Sequence, residues 1–239
     1  MTEQHRRAFS AEMEARVSAH VTDEHRRHGL PTPAFDQEFW EQRWDTVHSV
    51  GMAMTPNRTL TGVATQLQAG RALDAGCGEG TDALWLADRG WDVTAVDFVE
   101  SALTRGRARA DERGGDLVGR IDWRQADLSV WTPPAAAFDL VSAHYLHGIT
   151  DRANLFRRLA AAVRPGGTLL IVGHHPSNAD VLGVTMPGAV FFTTADLLAV
   201  LDDQWDLVTV DDDVPREMTD LEGRPRRLRS ALVQALRRQ

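Results

Sequence analysis

The chain contains no lysine: all 26 basic residues are arginine, set against 34 acidic residues for a formal net charge of −8. A protein that grips nucleic acid by its phosphates needs a basic face, so this balance argues against a nucleic-acid partner. The local clusters Arg105, Arg107, Arg109 and Arg224, Arg226, Arg227, Arg229 read as solvated helix and strand faces. The replacement of lysine by arginine reads as a coding bias that also favours Ala and Gly. Cysteine occurs once, as Cys77, which excludes an internal disulfide and fits a reducing, cytoplasmic address. No apolar run approaches the length of a membrane span, and the first residues lack the apolar core of a signal peptide, so no membrane partner is expected. With 239 residues, 43% hydrophobic and 25% charged, the composition is that of a soluble globular chain with one substantial core.

The informative stretch is Ala72-Leu73-Asp74-Ala75-Gly76-Cys77-Gly78-Glu79-Gly80-Thr81. A short apolar strand ends in a carboxylate, glycines alternate through a turn, and Asp82 to Ala87 then has helical spacing. Glycine adopts backbone angles closed to other residues and lets a ligand approach the main chain, so strand, turn and helix together make a nucleotide cradle. Dinucleotide folds carry G-x-G-x-x-G, whereas this loop reads Asp74-x-Gly76-x-Gly78-x-Gly80, which opposes an NAD-dependent oxidoreductase. Downstream, Trp91 to Asp97 reads as a second buried strand ending in a carboxylate, placed to accept hydrogen bonds from ribose hydroxyls. Phe98 beside it offers a ring for adenine. Strand-like runs follow at Ile121–Arg124, Phe138–Ala143, Val163–Val172, Trp205–Val210 and Leu228–Val233. Strands alternating with helices predict an α/β, doubly wound sheet with ligands at the strand C-termini.

The glycine loop, Asp97, Gln125-Ala126-Asp127-Leu128 and Pro165-Gly166-Gly167 together resemble the class I S-adenosylmethionine (SAM)-dependent methyltransferases over about residues 70 to 238. The resemblance implies a Rossmann-like, seven-stranded sheet whose last strand is antiparallel. It implies SAM as cofactor and S-adenosylhomocysteine (SAH) as product, a loop of Asp74, Gly76 and Gly78 around the methionine and ribose, and Asp127 at the adenine amino group with Leu128 beside it. Cys77, where the family has a small residue, is not expected to be a nucleophile.

Ahead of the loop, Pro31-Thr32-Pro33 and Pro56-Asn57 break a helix-prone segment, so residues 1–69 read as an N-terminal helical cap and 70–239 as the cofactor-binding domain. Trp40-x-x-Arg43-Trp44 puts two indoles on one helix face. That pattern is similar to thiopurine methyltransferases, which implies that Trp44, with Trp40 next, closes over SAM and that Asn57 reaches its polar end; simple core packing is the alternative. A second similarity, to tellurite-resistance methyltransferases, runs through Phe192–Leu198, Trp205 and Asp212–Asp220. This chain departs from it at Glu217 and Met218, where that family has a His-Arg pair.

The acceptor is expected beyond the fourth and fifth strands, where His144, His147, His174 and His175 gather. His144 or His147 would act as general base with the other positioning substrate, or all four would satisfy loop ends while proximity alone drives transfer. No acidic or Cys partner stands at ligand spacing to these histidines, so no metal is expected. Residues 183–193, with Met186, Phe191 and Phe192, would form an apolar acceptor pocket or pack into the core. The expected activity is methyl transfer to a small-molecule thiol, chalcogen, phenol or amine by a monomer or homodimer. The alternative is a non-catalytic SAM-binding regulatory protein.

Overall fold

The structure, a computed structural model, describes residues 36–49, 55–182, 191–219 and 224–239. The helix-prone residues 1–30, most of the apolar insertion including Met186, and Asp220 to Gly223 lie outside the described residues, as do the side chains of Met218 and Thr219.

Two helices, α1 (Gln37–Ser49) and α2 (Arg58–Ala64), precede β1 (Arg71–Ala75). Then follow α3 (Thr81–Ala87), β2 (Asp92–Asp97), α4 (Glu100–Arg113), a 3-10 turn (Gly115–Arg120) and β3 (Ile121–Gln125). The second half runs β4 (Phe138–His144), α5 (Arg152–Ala162), β5 (Val163–His174), α6 (Asn178–Leu182), α7 (Thr194–Leu198), β6 (Trp205–Thr219) and β7 (Pro225–Arg237). The strands form one seven-stranded sheet in the order β3-β2-β1-β4-β5-β7-β6. All neighbours from β3 to β5 are parallel, and β7 runs antiparallel to both β5 and β6. This is the doubly wound α/β fold of class I methyltransferases.

Alternation along the strands explains the two-sided core. Leu73 and Ala75 face one side with Phe156 and Leu159 of α5, whereas Ala72 faces the other with Leu60 of α2 and Leu84 and Leu86 of α3. The same period of two puts Asp74 on the Ala72 side, toward the start of α3. Burial on both faces is why these strands read as near-continuous apolar runs.

Three boundaries are set by local chemistry. The helix that opens at Arg58 ends at Ala64, because Gln66 and Leu67 donate to the carbonyls of Val63 and Ala64 and tighten the last turn. Pro165-Gly166-Gly167 lies within β5: Phe138 pairs Val163 but Leu140 pairs Thr168, and the intervening residues bulge out with Gly166 at φ 78°. The last two strands are longer than their apolar centres. Acidic Asp211, Asp212 and Asp213 fall at a register shift in β6, where Asp212 accepts from the amide and hydroxyl of Thr194 at 2.8 Å each.

Candidate functional site

Chain connections leave β1 in both directions, to β2 on one side and, by way of β2 and β3, to β4 on the other, so a crevice opens beyond the C-terminal ends of β1 and β4. A cavity of about 810 Å³ occupies that place. It is lined by the glycine loop, by Trp40, Trp44 and Asn57 from the N-terminal helices, by Asp97 and Phe98, by Gln125 to Ser129 and by His144 to Ile149. Five carboxylates line it (Asp36, Glu79, Asp82, Asp97 and Asp127), and among the described lining residues there is no arginine.

The glycine loop is packed without room for side chains. Gly76 and Gly78 take φ of 79° and 54°. A Cβ on Gly76 would come 2.2 Å from Leu146 Cδ2, and one on Gly78 would come 2.3 Å from Trp44 Cζ2. The loop is tied to β2, since Gly76 and Cys77 both donate to the Val96 carbonyl and Gly78 donates to Asp97 Oδ2 at 2.8 Å. Glu79 is paired with Arg105 at 2.6 Å.

Asp97 is buried, and its Oδ1 accepts from the Val99 amide at 3.0 Å. Burial raises its carboxyl above the usual range, and the backbone donors only partly offset this. Asp74 is 3% exposed and raised well above the ordinary value, by burial first and then by the charges of Asp82 and Asp97. Its Oδ2 has no hydrogen-bond partner. Burial likewise pushes the Cys77 thiol well up, with Asp74 and Asp97 adding to the effect, so it stays protonated and is a poor nucleophile. Asp127 is exposed, and its Oδ1 accepts from Ser129 in a local turn. Leu128 is buried beneath it.

The histidines separate into three situations. The His144 side chain is 8% exposed, with Nδ1 3.3 Å from Asp82 Oδ2. His147 stacks between Trp40 and His174, each ring centroid 5.2 Å away. His175 accepts from the Ser177 amide through Nδ1 and closes a local turn. Between them Tyr145 takes φ 53°, an unusual angle for a bulky residue. Its amide donates to Val172, its hydroxyl meets Ser230 Oγ at 3.1 Å, and the Arg216 guanidinium lies 5.1 Å over its ring. Strain of this kind persists where the surroundings over-determine it and clusters at functional sites.

Trp44, Asn57, Gly76, Gly78, Asp97, Phe98, Asp127, Leu128, His144 and His147 all line the one cavity, with Asp74 buried behind it. The side chain of Asn57 differs from expectation. Its Oδ1 caps α2 by accepting from Thr59 and Leu60, leaving only the amide nitrogen for a ligand. Phe192 is 4% exposed and packs on Phe156 in the core, so of the expected apolar acceptor wall it is a core residue. The sequence reading also found no carboxylate at ligand spacing to the histidines, yet Asp74, Asp82 and His144 each place one ligand-capable atom within 4.8 Å of the other two. Asp82 and Leu146 were missed. Asp82 had a signal, as a polar residue just after the loop on an otherwise apolar helix; Leu146 had none.

Residues 72–167 match the family model described as a methyltransferase domain. Among curated proteins, the trans-aconitate 2-methyltransferase of Sinorhizobium medicae (strain WSM419) is 32% identical over 127 residues, 52% of this chain and 46% of the relative. The chain thus spans about half the length of such relatives. Among solved structures, TehB from Haemophilus influenzae superposes with TM-score 0.61 at 17% identity, covering 83% of this chain and 67% of that one. The [4+2]-cyclase SpnF superposes with TM-score 0.64 at 18% identity, covering 87% of this chain and 97% of that one. Residues 72–167 are therefore similar in sequence to a methyltransferase domain, and the whole sheet has the fold that class I SAM-dependent methyltransferases share.

Proposed function

We propose that the protein is a SAM-dependent methyltransferase acting on a small-molecule acceptor. The observation that carries this reading is the acidic cavity over a side-chain-free glycine loop. Lined among the described residues by four carboxylates besides the Arg105-paired Glu79, and by no arginine, it favours a cofactor bearing sulfonium and ammonium charge and disfavours a pyrophosphate. The residues present fit SAM: Gly76 and Gly78 hold the positive-φ turn on which Leu146 and Trp44 lie, Asp97 at the tip of β2 offers its remaining lone pairs to a ribose, and Phe98 and Leu128 flank the position of a base. Trp44, laid on Gly78, shields the site from water.

When bound, SAM supplies a methyl group already activated by its sulfonium. The chain has to align the acceptor with that methyl, exclude water and, for a protonated acceptor, take up its proton. Alignment alone is worth up to roughly 7–11 kcal/mol. His147 is the group in the acceptor half of the cavity suited to the proton, with Trp40 and His174 fixing its ring; a thiolate or other soft acceptor would need no base. His144, deep beside Asp82, belongs with the cofactor. Residues 1–69 then act as a cap on the unit 70–239. The finer likeness to thiopurine and tellurite-resistance enzymes is part of this proposal, as are a monomeric or dimeric state and a cytoplasmic address. Among the described residues no helix is long and apolar enough to cross a membrane.

One observation favours a second reading, a SAM-binding protein that transfers no methyl: SpnF, alike over 87% of this chain, is a [4+2]-cyclase. Calorimetric titration with SAM, SAH and NAD tests the cofactor, and SAH production from a panel of thiols, phenols, amines and carboxylates tests turnover. Micromolar binding of the two sulfur ligands without NAD binding supports the cofactor. Binding without SAH from any acceptor favours the second reading.

A further inference from the structure

We infer that Asp82, with His144, is the recognition element for the primary ammonium of the cofactor's amino-acid tail, a role that rests on the cofactor proposed above. Asp82 is the second residue of α3 and His144 the last of β4, brought together because β1 and β4 are neighbours, with Ala75 paired to Ala143.

Counting partners at this spot leaves a deficit of donors. Asp82 Oδ1 accepts from the Asn57 amide at 2.7 Å, while Oδ2 faces His144 Nδ1 at 3.3 Å, off the line of a hydrogen bond. Asp74 Oδ2 and both ring nitrogens of His144 are buried without a hydrogen-bond partner. Unsatisfied buried polar atoms are costly, and one carboxylate oxygen each of Asp74 and Asp82 with one ring nitrogen of His144, all within 4.8 Å of one another, call for a cation that brings its own N–H groups. An –NH3+ group carries three donors and no acceptor, which matches a set made of two carboxylate oxygens and an imidazole nitrogen. Arginine does not fill the place: Arg105 and Arg109 are turned onto Glu79, and Arg107 onto Glu100. Asp82 and His144 also line the same cavity as Gly76 and Gly78, so the cation they hold belongs to whatever lies along the glycine loop. Because Asp82 spends its other oxygen on Asn57, the N-cap of α2, one carboxylate joins the ligand's charged end to the segment carrying Trp40 and Trp44.

The test compares SAH with 5′-methylthioadenosine, which keeps the nucleoside and thioether but lacks the amino-acid tail. Calorimetry on wild type and Asp82→Asn is expected to show SAH weakened about 10–100-fold, as for loss of a charge-assisted hydrogen bond. Methylthioadenosine should change by less than about twofold. Equal weakening of both ligands would show Asp82 to be merely structural, and unchanged SAH affinity would show it to be uninvolved; either overturns the inference while leaving the cofactor reading intact. If wild type binds neither ligand, the cofactor reading falls and this inference with it. Zn²⁺ that binds one-to-one and stays bound under saturating SAH would assign the carboxylates and imidazole to a metal, which also overturns it.

Discussion

The Trp44 indole occupies the place that a Gly78 side chain would need, with Cζ2 2.3 Å from where a Cβ would stand. The cap helix and the glycine loop are therefore sized against each other. Gly78→Ala has to displace the indole and also hold φ 54°, a region that disfavours a Cβ by about 1–2 kcal/mol. SAH affinity should fall at least about tenfold, and intrinsic tryptophan fluorescence should shift as Trp44 moves. Trp44→Ala should weaken SAH with little loss of melting temperature, because among the described residues α1 contributes none to either buried cluster. A large drop in melting temperature would make Trp44 a core residue after all.

Asp74 and Asp97 are held at native pKa values above those of the unfolded chain, chiefly by burial. Between the ordinary carboxylate value, about 4, and the raised native value, the folded protein binds more protons than the unfolded one. Their contribution therefore falls as pH rises through that window. Asp139 behaves oppositely: burial raises it, but the Arg71 amide and the Arg164 guanidinium outweigh burial and hold it low. Its contribution is full above about pH 4 and is lost as pH falls through its lower native value. Asp74→Asn should raise the neutral-pH melting temperature of the ligand-free protein, by roughly 2–4 °C per kcal/mol recovered, and weaken SAH binding. Thermal melts across pH check both; a lower melting temperature for Asp74→Asn would contradict the burial argument.

His147 sits between an indole and a second imidazole. His147→Ala should lower the rate with a protonated acceptor by roughly 10²–10⁴ while SAM affinity holds. With a thiol largely ionised at the assay pH the loss should shrink. Equal losses for both acceptors would point to positioning rather than proton removal.

Asn178, 1% exposed, works as a clip rather than a ligand: its amide donates to the Arg229 carbonyl and accepts from the Arg229 amide at 2.8 Å each. Asn178→Ala strips the Arg229 amide of its partner, leaves the Arg229 carbonyl with the His175 amide alone, and should destabilise by roughly 1–3 kcal/mol. Denaturant melts should show a lower midpoint with an unchanged slope.

The strand ends were legible because apolar runs stop at Asp74, Asp97 and His144, where burial gives way to a crevice. Asp127 was found from resemblance and Phe98 from its place beside Asp97, and both reach the cavity. What stayed hidden depends on which strands are neighbours. Nothing local connects Asp82 to His144; only the pairing of β1 with β4 does. Phe192 shows another limit, since hydrophobicity alone does not distinguish a pocket wall from a core. It fills the space above Gly173, where a Cβ would come 2.0 Å from its ring.

The antiparallel strand β7 sits between β5 and β6, so β5 has its second edge covered only by residues 225–237. During synthesis the five parallel strands can assemble first, and one flank of an almost wholly buried strand then stays bare until those residues emerge from the ribosome. An open, apolar edge is a template for pairing with other chains. Products stalled or truncated before residue 225 should accordingly be its aggregating species, with chaperone dependence lasting until β7 is in place.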